Sequence, residues 1–145
     1  SALYPVRRDT RGRGGMPTEL DLLSLPASRE LDALVAERVM GWHALRDGHC
    51  AECEAMIAEG TLMMSDPQGL VGVVPDYSTS IAAAWAVVKK MDPLRLTLRQ
   101  RMVRGEEWTA DFSSAVSLIG YGEGGTAAQA ICNAALHACK VKVPA

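Results

Sequence analysis

Aromatic side chains are nearly missing from this chain: they make up 5% of its 145 residues, with a single Phe, three Trp and three Tyr. A core without them must be assembled from Ala, Val, Leu, Ile and Met, and such small side chains require helices and strands to approach closely. Excess charge of either sign is missing too. A formal charge of −2 and a pI of about 5.9 give no global attraction to nucleic acid or anionic lipid. No apolar run approaches the ~20 residues of a membrane span, and no signal-peptide core stands at the start, so the expectation is a cytoplasmic protein without a membrane partner. Cysteine is limited to Cys50, Cys53, Cys132 and Cys139. Without a secretion signal these are expected as thiols or metal ligands, not disulfides. Catalytic signatures are also lacking: there is no G-x-S-x-G, H-E-x-x-H, Walker lysine or GxGxxG, and His43, His49 and His137 are scattered. The expectation is therefore a protein without a catalytic residue set.

The length suits one domain with a core that needs no covalent staple. Residues 1–15, SALYPVRRDTRGRGG, combine Arg and Gly without apolar periodicity and read as a flexible or vector-derived arm, with the domain over 16–145 and Met16 as an expected natural start. Residues 17–27 read as an extended lead-in. A helix is predicted from Arg29 to Met40, with Ser28 as cap, Glu30 in its first turn, Arg38 in its last, Gly41 beyond, and Leu31, Leu34, Val35 and Val39 as its buried stripe. Between Trp42 and Val74 the signal weakens to a short helix over 50–59, with Cys50, Cys53 and Ile57 as an inward stripe, and a strand over 69–74.

The best-specified stretch is PDYSTSIAAAWAVVKKM, 75–91: a turn, Ser78 or Thr79 as helix cap, Ile81, Ala84, Trp85, Val88 and Met91 as the apolar stripe, and Lys89 and Lys90 at the end the macrodipole favours. LRLTLRQRM then alternates at period two, Glu107 to Phe112 returns with Trp108, Ala110 and Phe112 inward, and a third strand is placed over 116–121. A turn, GEGG, leads to Thr126 as cap of a last helix with a small-residue stripe, Ala127, Ala130, Ile131, Ala134 and Ala138. The fold class is α+β: a small antiparallel sheet of three or four strands sandwiched by helices, around a helix–strand–strand–strand–helix core.

Four groups are candidate sites. Arg95, Arg99 and Arg101 form the densest basic row, suited to a small anionic ligand or an acidic partner. A turn near Arg104 would set Arg101 opposite Glu107 and Thr97 opposite Asp111, so a self-neutralised solvated face is the leading reading. His49, Cys50 and Cys53 spell H-C-x-x-C, a zinc possibility resting on one CxxC; no other cofactor is expected. Cys132 and Cys139 share one side of the last helix while His137 falls with Gln129 and Asn133 on the other, so these three should not converge, and His137 stands instead with the possible ligand or partner surface residues. Met56, Met63 and Met64 offer adaptable apolar surface to a protein partner if exposed. The helix, three strands, helix order resembles the double-stranded RNA-binding domain, but GYGEGGTAAQAICNAAL has no lysine before Lys140, so nucleic acid is disfavoured as a partner.

LDALVAERVMGWH (31–43), PDYSTSIAAAWAVVKKM (75–91), EWTADF (107–112) and TAAQAICNAALHA (126–138) together resemble the phage ABA sandwich domain proteins, small proteins of phages and prophages. The resemblance implies an antiparallel sheet between helices and brings with it no activity, catalytic residue or cofactor. Residues 44–74 match no landmark and read as a variable insert in which individual function would reside. The expected function is that of an accessory binding module whose partner is a host or phage protein, a second copy of the chain, or a small anionic ligand. Its rivals are a zinc-stabilised domain and an enzyme whose residues converge only in space.

Overall fold

The structure, a computed structural model, describes residues 24–45, 51–102, 105 and 107–139. The arm over 1–15 and most of the lead-in lie outside the described residues. Helix α1 (Arg29–Arg38) starts as its sequence dictates: the Ser28 hydroxyl accepts the Leu31 N–H at 3.1 Å, and Gly41 takes the left-handed φ of 84° just past the end. Leu31, Leu34, Val35 and Val39 are all buried. Helix α2 (Ala51–Ala58) falls within the predicted 50–59, but none of its residues is buried; of the expected inward stripe, Ile57 is exposed and Cys53 half-buried, and the helix packs on the strand that follows it.

That strand, β1 (Met63–Ser65), pairs antiparallel with β2 (Val71–Val73), Met63 opposite Val73 and Ser65 opposite Val71. At three residues, β1 is too short for alternation to have announced it. Met64 and Gly72 form the inward side of this ribbon. Met64 is buried, and the Trp42 ring lies 3.8 Å from where a Gly72 Cβ would stand.

Helix α3 (Ile81–Lys90) is capped by Ser80, whose hydroxyl accepts the Ala83 N–H at 3.2 Å, and not by Ser78 or Thr79. Its buried residues are Ala84 and Val87, continued by Met91, with Val88 at the border; Ile81 is 45% and Trp85 48% exposed. The helix is apolar around most of its circumference, so spacing alone admits two neighbouring stripes. Packing selects the one with the smaller side chains, which lets α3 settle against another Ala-rich helix.

Strands β3 (Arg95–Arg101), β4 (Glu107–Ser113) and β5 (Leu118–Gly124) form an antiparallel sheet in that order, followed by α4 (Ala127–Ala138), capped by Thr126. The helix–strand–strand–strand–helix core is thus α3–β3–β4–β5–α4, and the fold is α+β. The hairpin register is the predicted one, with Arg101 opposite Glu107 and Thr97 opposite Asp111. Pairing through β4 aligns Leu96, Phe112 and Gly120 in one inner row and Leu98, Ala110 and Gly122 in the next. Among the described residues, no helix is long and apolar enough to cross a membrane.

The third strand departs from expectation. GEGG does not open as a turn; the strand continues through Gly124, and Gly120, Gly122 and Gly124 face α4 at period two. A Cβ on Gly120 would overlap the Ala134 carbonyl oxygen, one on Gly122 the Ala134 nitrogen, and one on Gly124 would come within 2.6 Å of Gln129 Cγ. Gly is a poor strand former because it fixes more backbone entropy than other residues, yet here a side chain would collide with helix backbone at Gly120 and Gly122 and with the Gln129 side chain at Gly124. Helices α1 and α3 then pack on α4 in turn. Gly122→Ala is expected to cost stability at or above the upper end of the ~1–3 kcal/mol typical of overpacking, since backbone cannot rotate aside. Gly125→Ala, where an added Cβ would meet nothing nearer than Gln129 Oε1 at 4.0 Å, should change it by less than ~0.5 kcal/mol. Urea unfolding of the two variants checks the contrast.

Candidate functional site

The most concentrated set of polar groups in the interior joins the first turn of α1 to the loop that enters α3. Asp32 is 1% exposed. Its Oδ1 accepts the Ser78 N–H and the Ser78 hydroxyl, each at 2.7 Å, and its Oδ2 accepts Arg29 Nη1 at 2.7 Å. Arg29 reaches onward to Asp76 Oδ1 at 2.7 Å and, through Nη2, to the Val74 carbonyl at 2.7 Å. The Ser28 N–H donates to Ser78 Oγ at 3.1 Å, closing the set. Both carboxylate oxygens are engaged by donors, as a buried charge requires. The sequence offers Ser78 or Thr79 as a cap and assigns Asp32 no role. The available signal was an acid lying among the apolar positions Leu31, Leu34 and Val35.

Beside this network, burial acts on two titratable side chains. Burial pushes the Cys132 thiol far up, with the negative charge of Asp32 adding to the effect, and the thiolate is the form that reacts. Burial also raises the Tyr77 phenol. With both carboxylate oxygens of Asp32 engaged, this network ties the first turn of α1 to the loop that enters α3, as a clamp between the two helices.

The remaining candidates are distributed over the molecule. His49 and Cys50 lie outside the described residues, and Cys53 is half-buried on α2; among the described residues, no three His, Cys, Asp or Glu side chains are grouped as a metal ion would need. Cys132 is buried, Cys139 is exposed, and His137 faces elsewhere, so the three do not converge. Met56 is 38% exposed and Met63 partly so, while Met64 belongs to the core because strand alternation turns it inward. Arg95, Arg99 and Arg101 are exposed on one row of β3, the sheet face away from α4.

His137 has a structural position that its place on the polar side of α4 foretold only in part. That side is turned against the free edge of β5. The Tyr121 N–H donates to His137 Nδ1 at 2.9 Å, and Asn133 Nδ2 donates to the Glu123 carbonyl at 2.9 Å. One turn earlier, Gln129 accepts the Gly125 N–H at 3.0 Å and donates to the Leu25 carbonyl at 2.8 Å, which Asn133 Nδ2 also reaches at 3.0 Å. Gln129, Asn133 and His137, spaced four apart, thus follow the edge strand and satisfy backbone groups that would otherwise meet solvent or another chain.

Comparison with known proteins agrees with this architecture. The family model described as phage ABA sandwich domain matches residues 33–136, and the chain belongs to that family. In structure it is similar to a phage protein from Bacillus cereus ATCC 14579, solved by crystallography at 2.0 Å, with a TM-score of 0.58 and 18% identity, covering 80% of this chain and 90% of that one. At that identity the likeness speaks for the fold. No protein with curated annotation matches significantly.

Two measurements test the clamp. Asp32→Asn places an amide donor against either Ser78 or Arg29 and is expected to lower stability by ~3 kcal/mol in urea unfolding, whereas Asp76→Asn, at the solvent end, should cost well under ~1 kcal/mol. In native protein treated with iodoacetamide at neutral pH, Cys139 should be alkylated and Cys132 spared until denaturant is added, as peptide mass spectrometry would show.

Proposed function

We propose that this phage ABA sandwich domain protein is a phage- or prophage-encoded accessory protein that works as a non-catalytic binding module, docking a host or phage protein through the segment from α2 to β2. The observation that carries this reading is the exposure of Met56 (38%), Ile57 (38%), Leu70 (65%), Val71 (41%) and Val73 (48%) within that one stretch. Single exposed apolar residues are ordinary, but a group of them within one small substructure is what interaction surfaces look like.

The local structure supplies the reason they are outside. Met64 and Gly72 occupy the ribbon's inner side against the core and Trp42, so alternation leaves Met63, Val71 and Val73 on the outer side. The ribbon is held by the bridge between His43 and Ser65 and by the Val74 N–H bond to the Leu62 carbonyl at 3.0 Å. A rigidly anchored strip of Val, Leu and Met loses little conformational freedom on docking, and each side chain fully covered contributes up to ~1.5–3 kcal/mol. Met56 adds adaptability, since its thioether packs against surfaces of varied shape.

The test is affinity capture from lysate of a phage-bearing host, using tagged wild-type protein and a Val71→Glu/Val73→Glu variant whose fold is verified by circular dichroism. Both substitutions sit on the outer side and should leave thermal stability nearly unchanged. Proteins retained by the wild type and lost from the variant are the expected result; identical retention by both forms would sink the proposal.

A further inference from the structure

We infer that the outer edge of β3 accepts an extended acidic segment of a partner polypeptide as a fourth strand of the β3–β4–β5 sheet. This edge belongs to a different element from the ribbon, and the inference holds or fails independently of it.

The two edges of the sheet are treated differently. Along β5, α4 closes the edge through His137 on the Tyr121 N–H and Asn133 on the Glu123 carbonyl. Along β3, a full seven residues, Arg95–Arg101, pair with β4 on one side, and nothing among the described residues pairs with the other. A long edge of this kind presents alternating N–H and C=O groups to any chain that can lie beside it.

Side chains on that edge select the partner. Arg95, Arg99 and Arg101 project on the face away from α4, and among the described residues no carboxylate lies within salt-bridge distance of them, although Glu107 stands opposite Arg101 in register. On the other face Leu96 and Leu98 are only partly buried. An added strand therefore finds positive charge on one side and uncovered apolar surface on the other. The fitting sequence alternates acidic and apolar residues.

A second copy does not meet this requirement. Antiparallel pairing of β3 with itself about Leu98 sets Arg95 against Arg101 of the other copy. Pairing about Thr97 sets Arg95 against Arg99, and pairing about Arg99 sets that residue against itself. Like charges directly opposite are destabilising, so the arginine row disfavours self-pairing in these three registers while leaving the edge open to an acidic chain.

The experiment is fluorescence anisotropy with a short, capped, dye-labelled peptide alternating Glu with Val. Four comparisons accompany it: the Lys/Val counterpart, the Glu/Val peptide N-methylated at every second residue, the Arg99→Glu/Arg101→Glu variant, and a single-stranded DNA oligonucleotide. Saturable binding of the Glu/Val peptide is expected, weakened at least ~10-fold by N-methylation and by the double charge reversal, with the variant turning its preference to the Lys/Val peptide. The inference is overturned by any of three results: no saturable binding of the Glu/Val peptide up to ~1 mM, binding indifferent to N-methylation, or stronger binding of the oligonucleotide than of the peptide. Should the double variant fail to fold, the N-methylated peptide still decides with wild-type protein.

Discussion

Contact between the backbone of α4 and the backbone of β5 is the constraint on which the rest of this structure depends. It exists because three alternate positions of the strand, Gly120, Gly122 and Gly124, present no side chain to the helix, and because the helix answers with Ala130, Ala134 and Ala138. A chain with one Phe cannot fill a wide gap between layers. It removes the gap. Dispersion contacts then form between main-chain atoms and small side chains at high density, compensating for the missing aromatic volume. The same proximity brings Gln129, Asn133 and His137 within hydrogen-bonding distance of the β5 edge and Leu25, so the strand loses its exposed edge as a consequence of how closely the helix sits. Asn133 Oδ1 is buried without a hydrogen-bond partner, while its Nδ2 is held by two carbonyls.

Around that contact the molecule divides into a firmly tied interior and less constrained outer parts. The Asp32–Ser78 bonds connect residues 46 apart in the chain and settle where α3 begins, so the loop from Val74 to Ser80 is held by charge-assisted hydrogen bonds as well as by the buried side chains of Val74 and Tyr77. Helix α2 and the ribbon stand outside this system. Eight residues of helix with no buried side chain have little stability of their own. The ribbon is secured at its inner side, where Met64 and the Trp42 ring lie, and leaves its outer side uncovered. A core that tolerates few changes thus carries an outlying segment whose surface residues answer to few internal constraints.

Much of the architecture was legible because it is written in local chemistry. Ser28 and Thr126 as caps, Gly41 as the left-handed stop, and the alternation from Leu94 to Met102 each depend on near neighbours in the chain. The register placing Arg101 opposite Glu107 also followed, since a short turn leaves a hairpin few choices. The candidate sites were less legible. The Arg95, Arg99 and Arg101 row was recognisable as a face, but whether acids neutralise it depends on side-chain positions that register alone does not determine. The Asp32 clamp could not be seen, because its two halves lie on separate elements 46 residues apart and Ser78 already had an adequate local role as a cap.

By itself, then, the sequence determined the order of elements apart from β1, the family and the one-sided character of the strands, all of which arise from periodicities and end chemistry within short windows. Only the tertiary structure decided three things: that α3 buries Ala84 and Val87 while exposing Ile81 and Trp85, that Gly122 and Gly124 are strand and not turn, and that α2 keeps Met56 and Ile57 on the surface. The reason is common to all three. Periodicity shows that a residue has an apolar or a small side chain, whereas burial depends on what approaches it, and here the approach is set by glycines and alanines whose own signal is the lack of a side chain.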